Sequence, residues 1–345
     1  MSGLQPNDPA FAAGARSETI RPPGRTIPVP TGTRDVLPEE MAELREISSA
    51  ALMAFDAAGY GEVATPALEF EETMRIGDPE SSGRVYRLPD KDGKALVLRF
   101  DSTIPIARLA ATRYRDEPAP LRFCYLQSVY RPVEPKRAQS RQYLQIGMEL
   151  LGSAAPEGDA EAIKLLSDVL TAAGLRDFKI AVGDVGFFAG LLESSVGDGS
   201  LNETARGAIM HELQTRDMVG LNRELASADG LPAEDRDRLA TVAAARGGRD
   251  MIEREGATRL VELDDLLQSA GVADRVIYDL GLVRSLSYYT GTVLEIYVPS
   301  SGFPIGGGGR YDDLVGRFGR DLTAFGFALN MERLHLAVLA EREAN

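Results

Sequence analysis

Residues 141–151 read Arg-Gln-Tyr-Leu-Gln-Ile-Gly-Met-Glu-Leu-Leu, and this stretch decides the fold of the region around it. Successive side chains of a β-strand point to opposite faces of the sheet, so the two faces can be separated from the sequence. One face carries Leu144, Ile146, Met148 and Leu150. The other carries Arg141, Tyr143, Gln145, Gly147 and Glu149. We interpret the second face as a pocket floor, in which the glycine leaves space; the alternative is a solvated sheet face.

The segments on either side of this strand extend the prediction to a fold class. Residues 121–130 form a second β-rich run, and a polar loop with two prolines separates it from residue 141, which predicts an antiparallel pair. Apolar residues recur at helical spacing over residues 39–58 and 157–173. Because the strands are grouped without β-α-β alternation, we predict an α+β fold with an antiparallel sheet flanked by helices.

The composition changes along the chain and indicates three parts. Residues 1–30 contain six prolines and no apolar run long enough for a signal peptide or a membrane span, which predicts a flexible leader of a cytoplasmic protein. Residues 184–272 are rich in alanine, leucine and charge, and predict a helical insertion. Residues 31–183 and 273–345 then form the core.

Charge and the scarce residue types exclude several kinds of site. The chain has 38 lysines and arginines against 52 acidic residues, so its net charge of −14 disfavours a nucleic-acid partner. Cys124 is the single cysteine, so no intrachain disulfide can form. His211 and His335 lack metal-ligand spacing. We therefore expect no metal, no cofactor, no nucleic acid and no membrane.

Six segments in the correct order resemble the catalytic domain of class II aminoacyl-tRNA synthetases, in the histidyl branch. Single motifs of this kind are weak signals, whereas six in order are specific. They are Gly32–Asp35, Thr65-Pro66 with Glu69, Arg122 through Arg131 to Gln142 with Gly147, Leu282–Gly291, Gly307–Asp312, and Phe325–Phe327 with Glu332–Leu334. The resemblance covers residues 31–339 and implies the class II synthetase fold.

The resemblance also implies a pocket for free histidine. An amino acid needs acceptors for its ammonium group, a cation for its carboxylate and, for histidine, polar partners beside a flat ring. By this resemblance Asp101, Thr103 and Gln145 hold the ammonium group, Arg131 and Arg284 face the carboxylate, and Glu149 and Tyr289 reach the imidazole. Ser102 and Tyr288 complete the expected histidine-binding residues.

The sequence departs from histidyl-tRNA synthetases at the positions that handle ATP and tRNA. A glutamate and an arginine that contact ATP in those enzymes are here Val133 and Gln139, which can supply neither the acceptor nor the phosphate-pairing cation. Ser287 replaces the aspartate that usually precedes the paired tyrosines. The given sequence ends twelve residues after Arg333, so we expect it to lack an anticodon-binding domain. We expect no catalytic residues and poor tRNA affinity.

This combination is similar to the family of regulatory subunits of ATP phosphoribosyltransferase. The resemblance implies a homodimer that assembles with the short-form catalytic subunit into a hetero-octamer, in the first step of L-histidine biosynthesis, with histidine as the feedback ligand. Two alternatives stay open from the residues alone. One is a truncated histidyl-tRNA synthetase-like enzyme that activates an amino acid for another acceptor. The other is a stand-alone histidine sensor.

Overall fold

The structure is a computed structural model that describes residues 28–79, 83, 85–132, 140–196, 201–283 and 288–344. The α-helices within those ranges are α1 (Pro38–Ala57), α2 (Glu71–Gly77), α3 (Thr103–Thr112), α4 (Glu157–Ala172), α5 (Val185–Ser194), α6 (Glu203–Thr215), α7 (Met218–Ser227), α8 (Ala233–Ala244), α9 (Arg249–Glu255), α10 (Thr258–Ser269) and α11 (Met331–Ala344). The strands are β1 (Gly61–Glu62), β2 (Leu68–Phe70), β3 (Arg87–Pro89), β4 (Ala95–Leu98), β5 (Leu121–Tyr130), β6 (Gln142–Leu151), β7 (Lys179–Asp184), β8 (Arg246–Gly247), β9 (Val276–Asp279), β10 (Thr292–Tyr297), β11 (Gly306–Arg310) and β12 (Ala324–Asn330).

One large sheet organises the described part of the chain, with strand order β1-β5-β6-β12-β11-β10-β7-β9-β8. Its centre is antiparallel, as the sequence predicts, and β5 pairs with β6 from Leu121↔Leu151 to Tyr130↔Gln142. The outer pairs β1-β5 and β7-β9 are parallel, so the sheet is mixed rather than wholly antiparallel. A second sheet, β2-β4-β3, is antiparallel.

The two faces of β6 enter different cores, which confirms the alternation seen in the sequence. Ile146, Met148 and Leu150 pack with apolar residues of α1 and α4, including Phe55 and Ile163. The opposite face of the sheet packs with residues of the small sheet and of α3, in a cluster that contains Val97, Ile104, Phe123, Tyr125, Tyr288 and Tyr311. The polar residues of β6 lie on this second side and open into a cavity.

The chain between β7 and β9 is mainly helical and contains α5 to α10. Asp184 ends β7 and begins α5, where its carboxylate accepts the Gly186 amide at 2.7 Å. The short strand β8 returns to the edge of the large sheet and pairs with β9. The helices thus attach to the sheet next to the turn that follows β9. The division into leader, core and insertion stays a prediction.

Candidate functional site

A cavity of about 1210 Å³ lies on the polar side of β6. Six of the residues predicted for the histidine pocket line it: Asp101, Thr103, Arg131, Gln145, Tyr288 and Tyr289. Ser102 and Glu149 are buried directly behind that lining and contact it through hydrogen bonds to Gln145 and Thr103. Arg284, Val133, Gln139 and Ser287 lie outside the described residues. The volume exceeds the usual range of about 300–1,000 Å³ for small-molecule sites, so one amino acid leaves part of it open.

Asp101 supplies a buried carboxylate just before α3. It accepts the backbone amide of Ile104 at 3.0 Å and the Tyr288 hydroxyl at 3.1 Å, and it is 4% exposed. Burial raises the pKa of the Asp101 carboxyl, and the Ile104 amide and the Arg131 guanidinium oppose that shift. The position of the Asp101 carboxylate therefore depends on α3 and on Tyr288, which precedes β10.

Glu149 lies behind the lining of the cavity, next to Thr103, and is 1% exposed. Its Oε1 accepts the Thr103 hydroxyl at 2.7 Å, and its Oε2 accepts the Tyr311 hydroxyl. Burial raises the pKa of Glu149 to about 8, because the two hydroxyl donors compensate only part of the lost hydration and Asp101 adds negative potential. Near neutral pH this carboxyl is therefore largely protonated, and it can donate as well as accept a hydrogen bond.

Arg131 and Gln145 add a cation and an amide to the lining of the cavity. Arg131 donates from Nε to the Phe100 carbonyl oxygen at 3.0 Å, and its guanidinium lies 5.7 Å from the centre of the Tyr143 ring. The Ser102 hydroxyl lies 3.3 Å from Oε1 of Gln145. The site therefore combines a guanidinium and several hydrogen-bond acceptors in its lining with a buried carboxyl of raised pKa behind it.

Two tyrosines contribute to the site without having been predicted from the sequence. Tyr311 donates to Glu149 and packs edge-on against Tyr288, with ring centres 5.8 Å apart. Tyr125 is 1% exposed and lies beneath Gly147, where a side chain at Gly147 would meet its hydroxyl at 2.7 Å. Tyr311 follows the glycine run of β11, but only the pairing of the strands places it against Glu149.

Gly326 on β12 gives a direct test of the pocket floor, because it lies opposite Glu149 in the sheet. A Cβ at Gly326 would overlap Oε2 of Glu149 and lie 2.8 Å from the Met148 carbonyl oxygen. We expect Gly326→Ala to displace the Glu149 carboxyl, to destabilise the fold by about 1–3 kcal/mol and to weaken histidine binding at least fivefold. Denaturant unfolding and calorimetric titration measure the two effects.

Gly207 on α6 provides the matched control, because no heavy atom lies within 4 Å of a Cβ built there. Gly207→Ala should leave histidine affinity unchanged and should stabilise the helix by roughly 0.5–1 kcal/mol. Equal histidine affinity in Gly326→Ala and the parent would contradict the assignment of Glu149 to the ligand pocket.

The part of the chain that the structure describes offers neither a metal cluster nor a membrane span. No cluster of three or more histidine, cysteine, aspartate or glutamate side chains is arranged there to hold a metal ion. Within the same ranges, no helix combines the length and the apolar character that a membrane span requires.

Along most of its length the chain is similar to histidyl-tRNA synthetases and to regulatory subunits of ATP phosphoribosyltransferase. The family model described as histidyl-tRNA synthetase matches residues 32–334. ATP phosphoribosyltransferase regulatory subunits from Moorella thermoacetica and Symbiobacterium thermophilum are 39% and 41% identical. Those alignments cover 90% of this chain in each case and 82% and 79% of the two relatives.

A solved structure of a protein of this family has a similar fold. It is described as an ATP phosphoribosyltransferase regulatory subunit/histidyl-tRNA synthetase from Bacillus halodurans C, and it superposes with a TM-score of 0.83 at 34% identity. The superposition covers 91% of this chain and 84% of that one. The fold, the order of the six motifs and these relatives agree, and the chain therefore belongs to the family of histidyl-tRNA synthetase-like regulatory subunits of ATP phosphoribosyltransferase.

Proposed function

We propose that this chain is a non-catalytic regulatory subunit that supports the first step of L-histidine biosynthesis and binds free L-histidine as a feedback ligand. The observation that carries the proposal is the cavity that Asp101, Thr103, Arg131, Gln145 and Tyr289 line, with Glu149 buried behind Thr103. Its polar groups match the three polar ends of histidine, and the family supplies the regulatory role.

The amino and carboxylate ends of the ligand have complementary groups within this cavity. Asp101 carries acceptor oxygens beside α3, and Gln145 and Thr103 add neutral partners. Arg131 provides a guanidinium for the ligand carboxylate, and its side chain is already held by the Phe100 carbonyl oxygen and the Tyr143 ring. Since these side chains are fixed before the ligand arrives, binding loses less conformational entropy.

The part of the pocket beside Glu149 suits an imidazole better than an aliphatic side chain. Glu149 is buried between the Thr103 and Tyr311 hydroxyls. As an acid with a pKa of about 8, it can donate one hydrogen bond to a neutral imidazole nitrogen or transfer its proton to that ring. An aliphatic ligand would leave the proton of this carboxyl without an acceptor, and the resulting loss disfavours such a ligand by about 1–3 kcal/mol.

Two arginines in the cavity lining help to judge the alternative in which the chain activates an amino acid with ATP. Arg333 lies there, but its Nη1 donates to the Pro304 carbonyl oxygen at 2.7 Å and its guanidinium lies 5.8 Å from the centre of the Phe303 ring. Arg34 is paired with Glu40 at 2.5 Å. Both cations are engaged by the protein, which favours the regulatory role over phosphate binding. We expect no histidine-dependent exchange of pyrophosphate into ATP.

The assembly that we propose is a cytoplasmic hetero-octamer in which homodimers of this chain bind short-form catalytic subunits. Large apolar side chains on and beside the small sheet support the homodimer. Leu68, Phe70, Ile76 and Leu88 are 47%, 46%, 40% and 40% exposed in the single chain. A second copy that covers them would remove this apolar surface from water.

The decisive experiment mixes the purified chain with a short-form catalytic subunit and measures the formation of phosphoribosyl-ATP. We expect activity only when both proteins are present, and inhibition by L-histidine. A coupling free energy of about 1–3 kcal/mol corresponds to roughly 5–150-fold control. Glu149→Ala and Arg284→Ala should each raise the histidine concentration that is needed, because each removes one expected contact to the ligand.

Lys164→Met on the outer surface of α4 is the control, and its response to histidine should equal that of the parent. Activity of the catalytic subunit that does not depend on this chain would overturn the proposal. If both pocket variants stay as sensitive to histidine as the parent, the feedback site lies on the catalytic subunit and this chain is an activator only.

A further inference from the structure

Arg216 has an unusual backbone conformation at the end of α6. Its φ is 56° and its ψ is 30°, which is the left-handed region, and no other non-glycine residue in the described ranges has a positive φ. Glycine is the usual residue at this position after a helix, because a Cβ makes the conformation unfavourable. An arginine there indicates that its side chain makes contacts that compensate.

Those contacts join the helical segment to the large sheet. Nη1 of Arg216 lies 2.9 Å from Oδ2 of Asp279, and Nη2 lies 3.3 Å from Oε2 of Glu295. The same Asp279 oxygen accepts Nε of Arg246 at 2.9 Å. Asp279 is the last residue of β9 and is 3% exposed. Two arginines from the segment between β7 and β9 therefore converge on one buried carboxylate.

Asp279 also holds the turn of residues 279–282 through hydrogen bonds to two backbone amides. Its Oδ1 accepts the Gly281 amide at 3.2 Å, and its carbonyl oxygen accepts the Leu282 amide at 3.1 Å. The turn is pressed against the end of α8, since a Cβ at Gly281 would overlap the Ala243 carbonyl oxygen. Leu282 of this turn packs in one cluster with Val293, and Tyr289, which lines the cavity, packs against the same cluster.

We propose that Arg216 is a positioning residue for the histidine pocket. It holds the Asp279 turn and thereby, through the packing of Leu282, sets where Tyr289 lies in the cavity. The inference rests on the proposed function, because it assigns a residue to the site that we propose for histidine.

Arg216→Gly and Arg216→Asn test the role, because both residues accept the left-handed conformation and neither can bridge two carboxylates. We expect the dissociation constant for L-histidine to rise about 5–30-fold in both variants. Hydrogen exchange of the ligand-free protein should increase in peptides that span residues 279–292 and stay unchanged in β5. A purely structural role would raise exchange in both regions.

Arg206→Ala is the matched control, because Arg206 also belongs to α6 and forms an exposed ion pair with Glu193. It should change neither histidine affinity nor exchange. Affinity within twofold of the parent in both Arg216 variants, or an exchange increase spread evenly over the sheet, would overturn the inference. A parent chain that binds no histidine would overturn the proposed function instead, and the exchange measurement would still show whether Arg216 holds the turn.

Discussion

Replacing Arg310 by methionine is expected to lower the free energy of unfolding by about 3–5 kcal/mol, the usual effect of removing one partner from a buried ion pair. Arg310 is 1% exposed, and its Nε and Nη2 donate to Oδ1 of Asp159 at 2.7 and 2.5 Å. Nη1 donates to the Ser153 carbonyl oxygen and to Asp312. The variant leaves the Asp159 carboxylate buried, and among the described residues the Thr292 hydroxyl is the side-chain donor that remains to it.

Urea unfolding of the parent and the variant at one pH measures this loss. The double variant Arg310→Met with Asp159→Leu should recover most of it, because it removes both charges and their shared cost of dehydration. Lys164→Met is again the control, because its ion pair with Asp168 on α4 is half exposed. Its removal should lower the free energy of unfolding by less than about 1 kcal/mol. A loss below about 1 kcal/mol for Arg310→Met would show that the pair is not buried in solution.

The stability of the ligand-free protein should depend on pH through Glu149. Burial raises its folded pKa to about 8, above the ordinary value of 4.5. Between these values the folded state binds a proton that the unfolded state has released, so Glu149 favours folding at low pH and this contribution is lost as the pH rises through 8. From pH 6 to pH 9 the loss is on the order of 2–3 kcal/mol.

Glu149→Gln isolates this contribution, because the other titrating groups are common to both proteins. The difference in unfolding free energy between variant and parent should shift by about 2–3 kcal/mol in favour of the variant between pH 6 and pH 9. Urea unfolding at four or more pH values checks the slope. A constant difference across that range would mean that Glu149 is already ionised at pH 6 and that its environment is wetter than the structure shows.

Local patterns account for much of the fold. The alternation along β6 depends only on strand geometry, so residues 141–151 determined which side chains enter the apolar core and which face the cavity. The helical spacing of residues 39–58 likewise predicted α1, which spans Pro38–Ala57. The parallel outer pairs were not predicted, because strand direction at the sheet edges depends on connections that local periodicity does not encode.

The sequence by itself determined the fold class, the family and the residue types of the pocket, because strand alternation and ordered motifs are carried by neighbouring residues. The tertiary structure alone decided which polar groups meet. Tyr311 and Glu149 are 162 residues apart, Arg310 and Asp159 are 151 apart, and Arg216 and Asp279 are 63 apart. Each contact depends on how strands pair and helices pack, and the resulting burial, rather than residue identity, raises the Glu149 pKa.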